Sequence, residues 1–129
     1  MAMVEILTLC EYASEHGGRL TIIDTFDAIG ATKFPWRAYF YVATRIGITH
    51  DFADYKTITL RILSLARPNK IVFETSNKFD PPKKTGKINL VAGFKGLIFE
   101  NAGDYSFRIY LDDDMIAECL FKVILKENG

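Results

Sequence analysis

From Tyr105 to Leu125 the chain alternates between apolar and polar positions. Tyr105, Phe107, Ile109 and Leu111 share one parity, and Ser106, Arg108, Tyr110 and Asp112 take the other. Beyond Asp112-Asp113-Asp114, a second run puts Met115, Ala117, Cys119, Phe121, Val123 and Leu125 in one phase. Successive side chains of an extended chain point to opposite faces, so this pattern predicts a β-hairpin with one buried face. The same reading gives strands over 4–13, 20–29, 36–48, 55–63, 71–75, 87–94 and 97–100. On 20–29, Leu20, Ile22, Phe26 and Ala28 oppose Thr21, Ile23, Thr25 and Asp27. On 36–48, Ala38, Phe40, Val42, Thr44 and Ile46 face one way, and Tyr39, Tyr41, Ala43 and Arg45 the other. Ile58, Leu60 and Ile62 are the inward set of 55–63.

The breaks between these runs have their own chemistry. Ser14 to Gly18 ends on paired glycines, which accept positive φ without a Cβ clash and join the first two strands as a hairpin. Pro35 lacks an amide hydrogen, so a strand starts after it. Arg67-Pro68-Asn69-Lys70 reads as a β-turn. Gly93-Phe94-Lys95-Gly96 reads as a bulge or bend between two short strands. Residues 50–54 form a loop with one helical turn near 51–54, and 76–86, without strand period, a long loop. Short strands punctuated in this way predict an all-β, antiparallel, two-layer sandwich of seven to nine strands.

Length and composition sharpen this. At 129 residues the chain is expected to be one domain, 1–129. That size buries about two-thirds of the unfolded surface, enough for a core without metal or disulfide staples. Ten Phe and six Tyr suit strands. Sixteen basic residues balance sixteen acidic ones, which gives no electrostatic reason to expect nucleic acid or an anionic membrane as partner. The opening residues do not read as a secretory signal: there is no basic start, and Glu5 and Glu11 interrupt a short apolar stretch. Cys10 and Cys119 lie far apart, each inside a strand pattern, and read as free thiols of a cytoplasmic protein; a bridge between first and last strands is the alternative.

Candidate chemistry is sparse. His16 and His50 fall in predicted loops, and neither has a second imidazole or thiol at metal-ligand spacing. No nucleophile elbow is present, so no catalytic residue, metal or cofactor is expected. Calcium takes six to eight oxygen ligands from spaced acids, so Asp112-Asp113-Asp114 fits a polar hairpin turn better than a cation site. Lys78, Lys83 and Lys84 read as a solvated loop rather than a phosphate-tracking patch.

The more informative residues are apolar groups on the wrong parity. If Phe40, Val42 and Ile46 face the core, then Tyr39 and Tyr41, with Trp36, fall on an outer face. By the same logic Ile116, Leu120 and Ile124 lie outside on the last strand. Monomers rarely expose a contiguous apolar patch beyond a few hundred Å². Three coverings are open: a segment of the chain itself, a protein interface such as a two-fold dimer, or a sugar or base stacked on the aromatics.

Ala102-Gly103-Asp104-Tyr105-Ser106-Phe107 resembles the tyrosine corner of immunoglobulin-like sandwiches. Phe107 stands where antibody domains carry their second cysteine, so no inter-sheet disulfide is implied. More broadly, the stretch from Ile6 to Ala13, Gly18 to Asp27, Phe34-Pro35 and the Gly103-Asp104-Tyr105 hairpin is similar to a family of small bacterial proteins of unknown function. That resemblance implies a cytoplasmic all-β domain in a bacterium and carries over no catalytic residue. The expected role is a non-catalytic interaction or structural module, a homodimer or partner of an unidentified protein. A small-ligand or carbohydrate-binding domain using Trp36, Tyr39 and Tyr41 is the alternative.

Overall fold

The computed structural model describes residues 3–47, 55–66, 69–78 and 86–127. The described residues form nine strands: β1 (Met3–His16), β2 (Arg19–Phe26), β3 (Ala28–Ala31), β4 (Trp36–Gly47), β5 (Thr57–Ser64), β6 (Lys70–Lys78), β7 (Lys87–Phe99), β8 (Gly103–Leu111) and β9 (Asp114–Leu125). They pair as a four-stranded sheet, β2-β1-β4-β7, and a five-stranded sheet, β3-β9-β8-β5-β6. The fold is therefore the two-layer sandwich that the alternation predicts. The suggested helical turn near 51–54 lies outside the described residues, as do His50, Arg67, Pro68, Lys83 and Lys84.

Apolar side chains of one parity from both sheets share the interior. Leu9, Phe40 and Val42 from the first sheet, with Ile62, Phe107, Ile109, Phe121 and Val123 from the second, belong to one buried cluster. Phe99 sits among them, its ring edge-on to Tyr105 at 5.0 Å and to Phe121 at 6.1 Å. Edge-to-face and offset contacts are the arrangements that ring quadrupoles favour. The Tyr105 hydroxyl donates to the Asn101 carbonyl four residues upstream, as in a tyrosine corner.

Five local departures from the predicted strands have identifiable causes. The run 20–29 is two strands, because the chain changes sheets at Asp27. β2 stays beside β1, while β3 pairs with β9 in parallel, the one parallel pairing among the described strands. Lys122 N–H donates to the Asp27 carbonyl and Lys126 N–H to that of Ala31, holding the crossover. Alternation looks the same whichever sheet receives a strand, so sequence does not reveal the switch.

Residues 87–94 and 97–100 are not separate strands; β7 runs through both. Ala38 lies opposite Leu97 and Tyr39 opposite Lys95, so Gly96 is the extra residue of a bulge. Its φ of +87° is one that glycine adopts without strain. A second bulge lies in β9, where Ile109 faces Ala117 but Tyr110 faces Met115. Ile116 has no partner there and packs against the interior, half-buried, while Met115 swings out. The expectation that Ile116 lies outside is thus corrected: one inserted residue reverses every side chain before it. Leu125, at the far end of the same run, is exposed as well.

β6 also extends further than its sequence pattern, through Ser76, Asn77 and Lys78. The Ser76 hydroxyl meets that of Thr59 on β5 at 2.8 Å, and the ladder continues to Thr57 opposite Lys78. Finally, the first hairpin turns on Gly17 and Gly18 alone, with φ of +56° and +80°, so Ser14 to His16 belong to β1.

That hairpin covers its own sheet. β1 keeps company with β4 only as far as Cys10 opposite Tyr41, then runs on paired with β2 to His16. Yet the Gly18 carbonyl at the tip accepts from Asn89 Nδ2 at 3.1 Å and from Arg45 Nη2 at 3.5 Å. Arg45 lies opposite Ile6, near the start of β1. A straight arm would carry Gly18 away by about 3.3 Å per residue, so the arm folds back across the outer face. Asp24, whose φ of +53° is in the left-handed region that Asp tolerates, lies where β2 passes this bend. Beneath the arm Cys10, Ala13 and Ala43 are fully buried, with Leu20, Ile22, Tyr41 and Val91 packed around them.

Candidate functional site

The six aromatic and aliphatic candidates are split among three places. Tyr41 is under the arm, its ring edge-on to Tyr12 at 5.2 Å. Gly93 makes room for it, since a Cβ there would stand 2.9 Å from Tyr41 Cε2. Trp36 is half-buried against the interior, so it is not on the outer face. Its parity is that of Ala38 and Phe40, which the run itself shows. Ile116 joins the core through the bulge described above. Tyr39, Leu120 and Ile124 remain outside, 68%, 60% and 44% exposed.

Leu120 and Ile124 lie on the outer face of the five-stranded sheet, which no segment among the described residues covers. Leu63 lies opposite Ser106, and Ser106 opposite Leu120, so the row across β5, β8 and β9 is apolar at its two ends, with the buried Ser106 between them and only Leu120 exposed. Ile71 on β6 extends the row beyond Leu63 and is half exposed. A shallow groove of about 530 Å³ runs beside them, lined by Leu65, Leu120 and Ile124 together with Asp27, Asp104 and Lys122. Lys122 Nζ is 3.7 Å from Asp104, so charges of both signs rim the apolar floor.

The other half of that face is polar and paired with itself. Arg61 lies opposite Glu74 on one side and Arg108 on the other, and Arg108 opposite Glu118. Two arginines side by side would repel, but each has its own acid: Arg61–Glu74 at 3.0 Å and Arg108–Glu118 at 2.8 Å. Arg61 also lies 4.7 Å over the Tyr110 ring, where its buried Nε has no hydrogen-bond partner. The Ser106 hydroxyl donates to Glu118, and with Arg108 it holds that carboxyl below its ordinary value.

A depressed folded-state pKa stabilises the fold above the unfolded value, about 4.3 for Glu, and the benefit is lost as pH falls through the folded value. Stability should therefore decline more steeply below about pH 4.3 in the native chain than in Glu118→Gln, as read by urea melts. Because the pair is partly exposed, the difference is expected to be shallow. Identical slopes would remove Glu118 from the ladder.

Burial also pushes both thiols above their ordinary value, Cys10 beneath the arm and Cys119 at the interior. Both are free. Asp112 caps the start of β5, accepting from the amides of Lys56 and Thr57, while Asp114 accepts from the Tyr55 hydroxyl. The acidic run is the hairpin turn itself, closed by Leu111 opposite Asp114. Among the described residues no group of His, Cys, Asp and Glu is placed to hold a metal ion.

A crevice of about 390 Å³ opens at the crossover between the sheets. Trp36, Phe40, Phe26 and Ile29 line it, with Arg37, Lys126 and Glu11 among its charged residues. The sequence signal for this site is only the Pro35-Trp36 strand start. Its far wall depends on the sheet switch at Asp27.

Two stacked sheets, a strand that leaves one to run parallel to the last strand of the other, and a tyrosine corner at the start of β8 define an immunoglobulin-like sandwich. The chain belongs to a family of unknown function (DUF6941), whose pattern matches residues 5–124. It is similar in fold to an immunoglobulin-like protein from Pseudomonas aeruginosa, at 11% identity and a TM-score of 0.50, covering 96% of this chain and 97% of that one. It is also similar to part of a β-glucosidase from Listeria innocua, at 6% identity and a TM-score of 0.51, covering 95% of this chain but only 16% of the enzyme. At these identities the likeness is one of fold alone. No curated protein matches the sequence. Among the described residues no helix is long and apolar enough to cross a membrane.

Proposed function

We propose that this chain is a non-catalytic interaction module that self-associates through the outer face of its five-stranded sheet, at β9. The supporting observation is an asymmetry between the two outer faces. The β1–β2 arm covers one over Ala43 and Val91 and leaves Tyr39 exposed there, whereas Leu120 and Ile124 stay open on the other. A groove with an apolar floor and both Lys122 and two acids at its rim suits contact with a copy of itself, because charges of both signs allow a two-fold pairing in which Lys122 of each copy meets an acid of the other. The clustered polar groups support a structural role, being engaged in cross-strand pairs. The platform on which a sugar would stack is divided, with Trp36 in a crevice, Tyr39 outside and Tyr41 under the arm, and this favours the protein partner. Two free thiols, Cys10 buried and Cys119 half-buried, fit a reducing compartment, and we place the module in the cytoplasm.

Light scattering should give twice the chain mass at high micromolar concentration. Leu120→Lys with Ile124→Lys should give a monomer whose melting temperature stays close to that of the native chain, because both side chains are already exposed. A native monomer at that concentration would overturn self-association, and a double variant that still dimerises would move the contact elsewhere.

A further inference from the structure

β4 has a neighbour on only one edge at its beginning. β1 pairs with it no further than Cys10 opposite Tyr41, whereas β7 accompanies it from Gly47 back to Trp36. Residues 36–40 therefore carry an unpaired edge. Across the gap stands β3, which is paired only with β9 and is likewise an edge strand. Among the described residues no backbone hydrogen bond joins the two. The crevice beside Trp36 fills this gap, lined by all five residues from Trp36 to Phe40 and by Ala28, Ile29 and Gly30.

Unpaired backbone N–H and C=O groups in a row are a template for another strand. We propose that this edge of β4 is a docking slot for an extended segment of another protein, with apolar residues alternating with acidic ones. It meets the β9 groove only at Ala28 on β3 and goes beyond the self-association proposed above. Strand addition draws affinity from the main chain and specificity from pockets at alternate residues. Here the inward residues of the guest would meet Trp36, Phe26, Phe40 and Ile29, which wall the crevice on its apolar side. Its outward residues would meet Arg37 and, at the other rim, Lys126. Neither cation has an acidic partner among the described residues. Glu11, at the point where β1 departs, is the one acid lining the slot, so the cations outnumber it.

Trp36 is the only tryptophan of the chain and reports on its own site. The probes are short blocked peptides in which Val, Leu or Phe alternates with Glu, and a matched set with Lys in place of Glu. At least one Glu peptide should change Trp36 emission saturably and bind about tenfold more tightly than its Lys counterpart, and Arg37→Glu should reverse that order. A central Pro, which removes one main-chain donor, should weaken binding. In hydrogen exchange the edge-facing amides of 36–40 should exchange quickly in the free protein and slow on binding. Slow exchange there in the free chain would overturn the open edge itself. No saturable change with any Glu peptide, or equal binding of the Lys set, would overturn the acidic guest. An emission change on concentrating the protein alone would assign the edge to a second copy and overturn the proposal.

Discussion

Replacing Phe99 by Ala should lower the unfolding free energy by about 3–5 kcal/mol, the cost of removing a ring from a packed interior. Phe99 is fully buried and comes from β7, in the four-stranded sheet, yet its nearest aromatic contacts are Tyr105 and Phe121 in the other. Phe40, from its own sheet, lies 6.4 Å away on a third side. Removing the ring opens a void bounded by both layers, and these walls cannot collapse together without moving whole strands. It also frees the Tyr105 ring, whose hydroxyl is tied to Asn101. Urea unfolding of the native chain and Phe99→Ala measures the difference directly. A loss below about 1 kcal/mol, the usual cost of an ordinary substitution, would mean that the two layers do not meet there.

The second large effect is expected at Ala43. This residue is fully buried although its side chain points away from the interior, because the arm closes over it. Ala43→Arg places a charge with no acid beside it in that cluster. Desolvating it costs several kcal/mol, more than the arm's few contacts supply, so the arm should lift while the interior stays packed. Limited proteolysis should then cut the chain between residues 12 and 23, where the native protein resists. Near-ultraviolet circular dichroism should retain most of its signal, since Phe99, Tyr105 and Phe121 are untouched. Global unfolding would show that the arm and the sandwich form one cooperative unit. Unchanged resistance would place Ala43 in solvent.

Much of the fold is legible in the chain because the interior imposes a period of two on it. Tyr105, Phe107, Ile109 and Leu111 are all buried, as their shared parity requires. The tyrosine corner is readable from Gly103-Asp104-Tyr105, and the acidic turn from three consecutive Asp. What escapes the pattern is any event that inserts a residue or changes a neighbour. The bulge at Ile116 reverses parity without any special residue to announce it. That at Gly96 does carry a glycine, yet reads equally well as a break between two strands. The crossover at Asp27 leaves alternation intact.

The candidate surface was only half visible for the same reason. Leu120 and Ile124 follow β9 parity outward, and Tyr41 follows β4 parity outward, but Tyr41 is half-buried. Its burial depends on a hairpin doubling back from Gly17-Gly18 to Asn89, a contact between residues 71 apart that no local period encodes. Trp36 shows the converse, since its parity already placed it with Ala38 and Phe40. The slot beside it exists because β1 leaves β4 after Cys10 and runs on to His16 beside β2, a bend that alternation does not encode.

Which outer face is left for a partner depends on where that arm lies. The most direct measurement is a set of nuclear Overhauser contacts in solution. Cross-peaks between Gly18 and the Asn89 side-chain amide, and between the rings of Tyr12 and Tyr41, should be present in the dilute native protein. A hairpin whose tip shows no contact beyond its own two strands would leave the four-stranded sheet open and contradict the account.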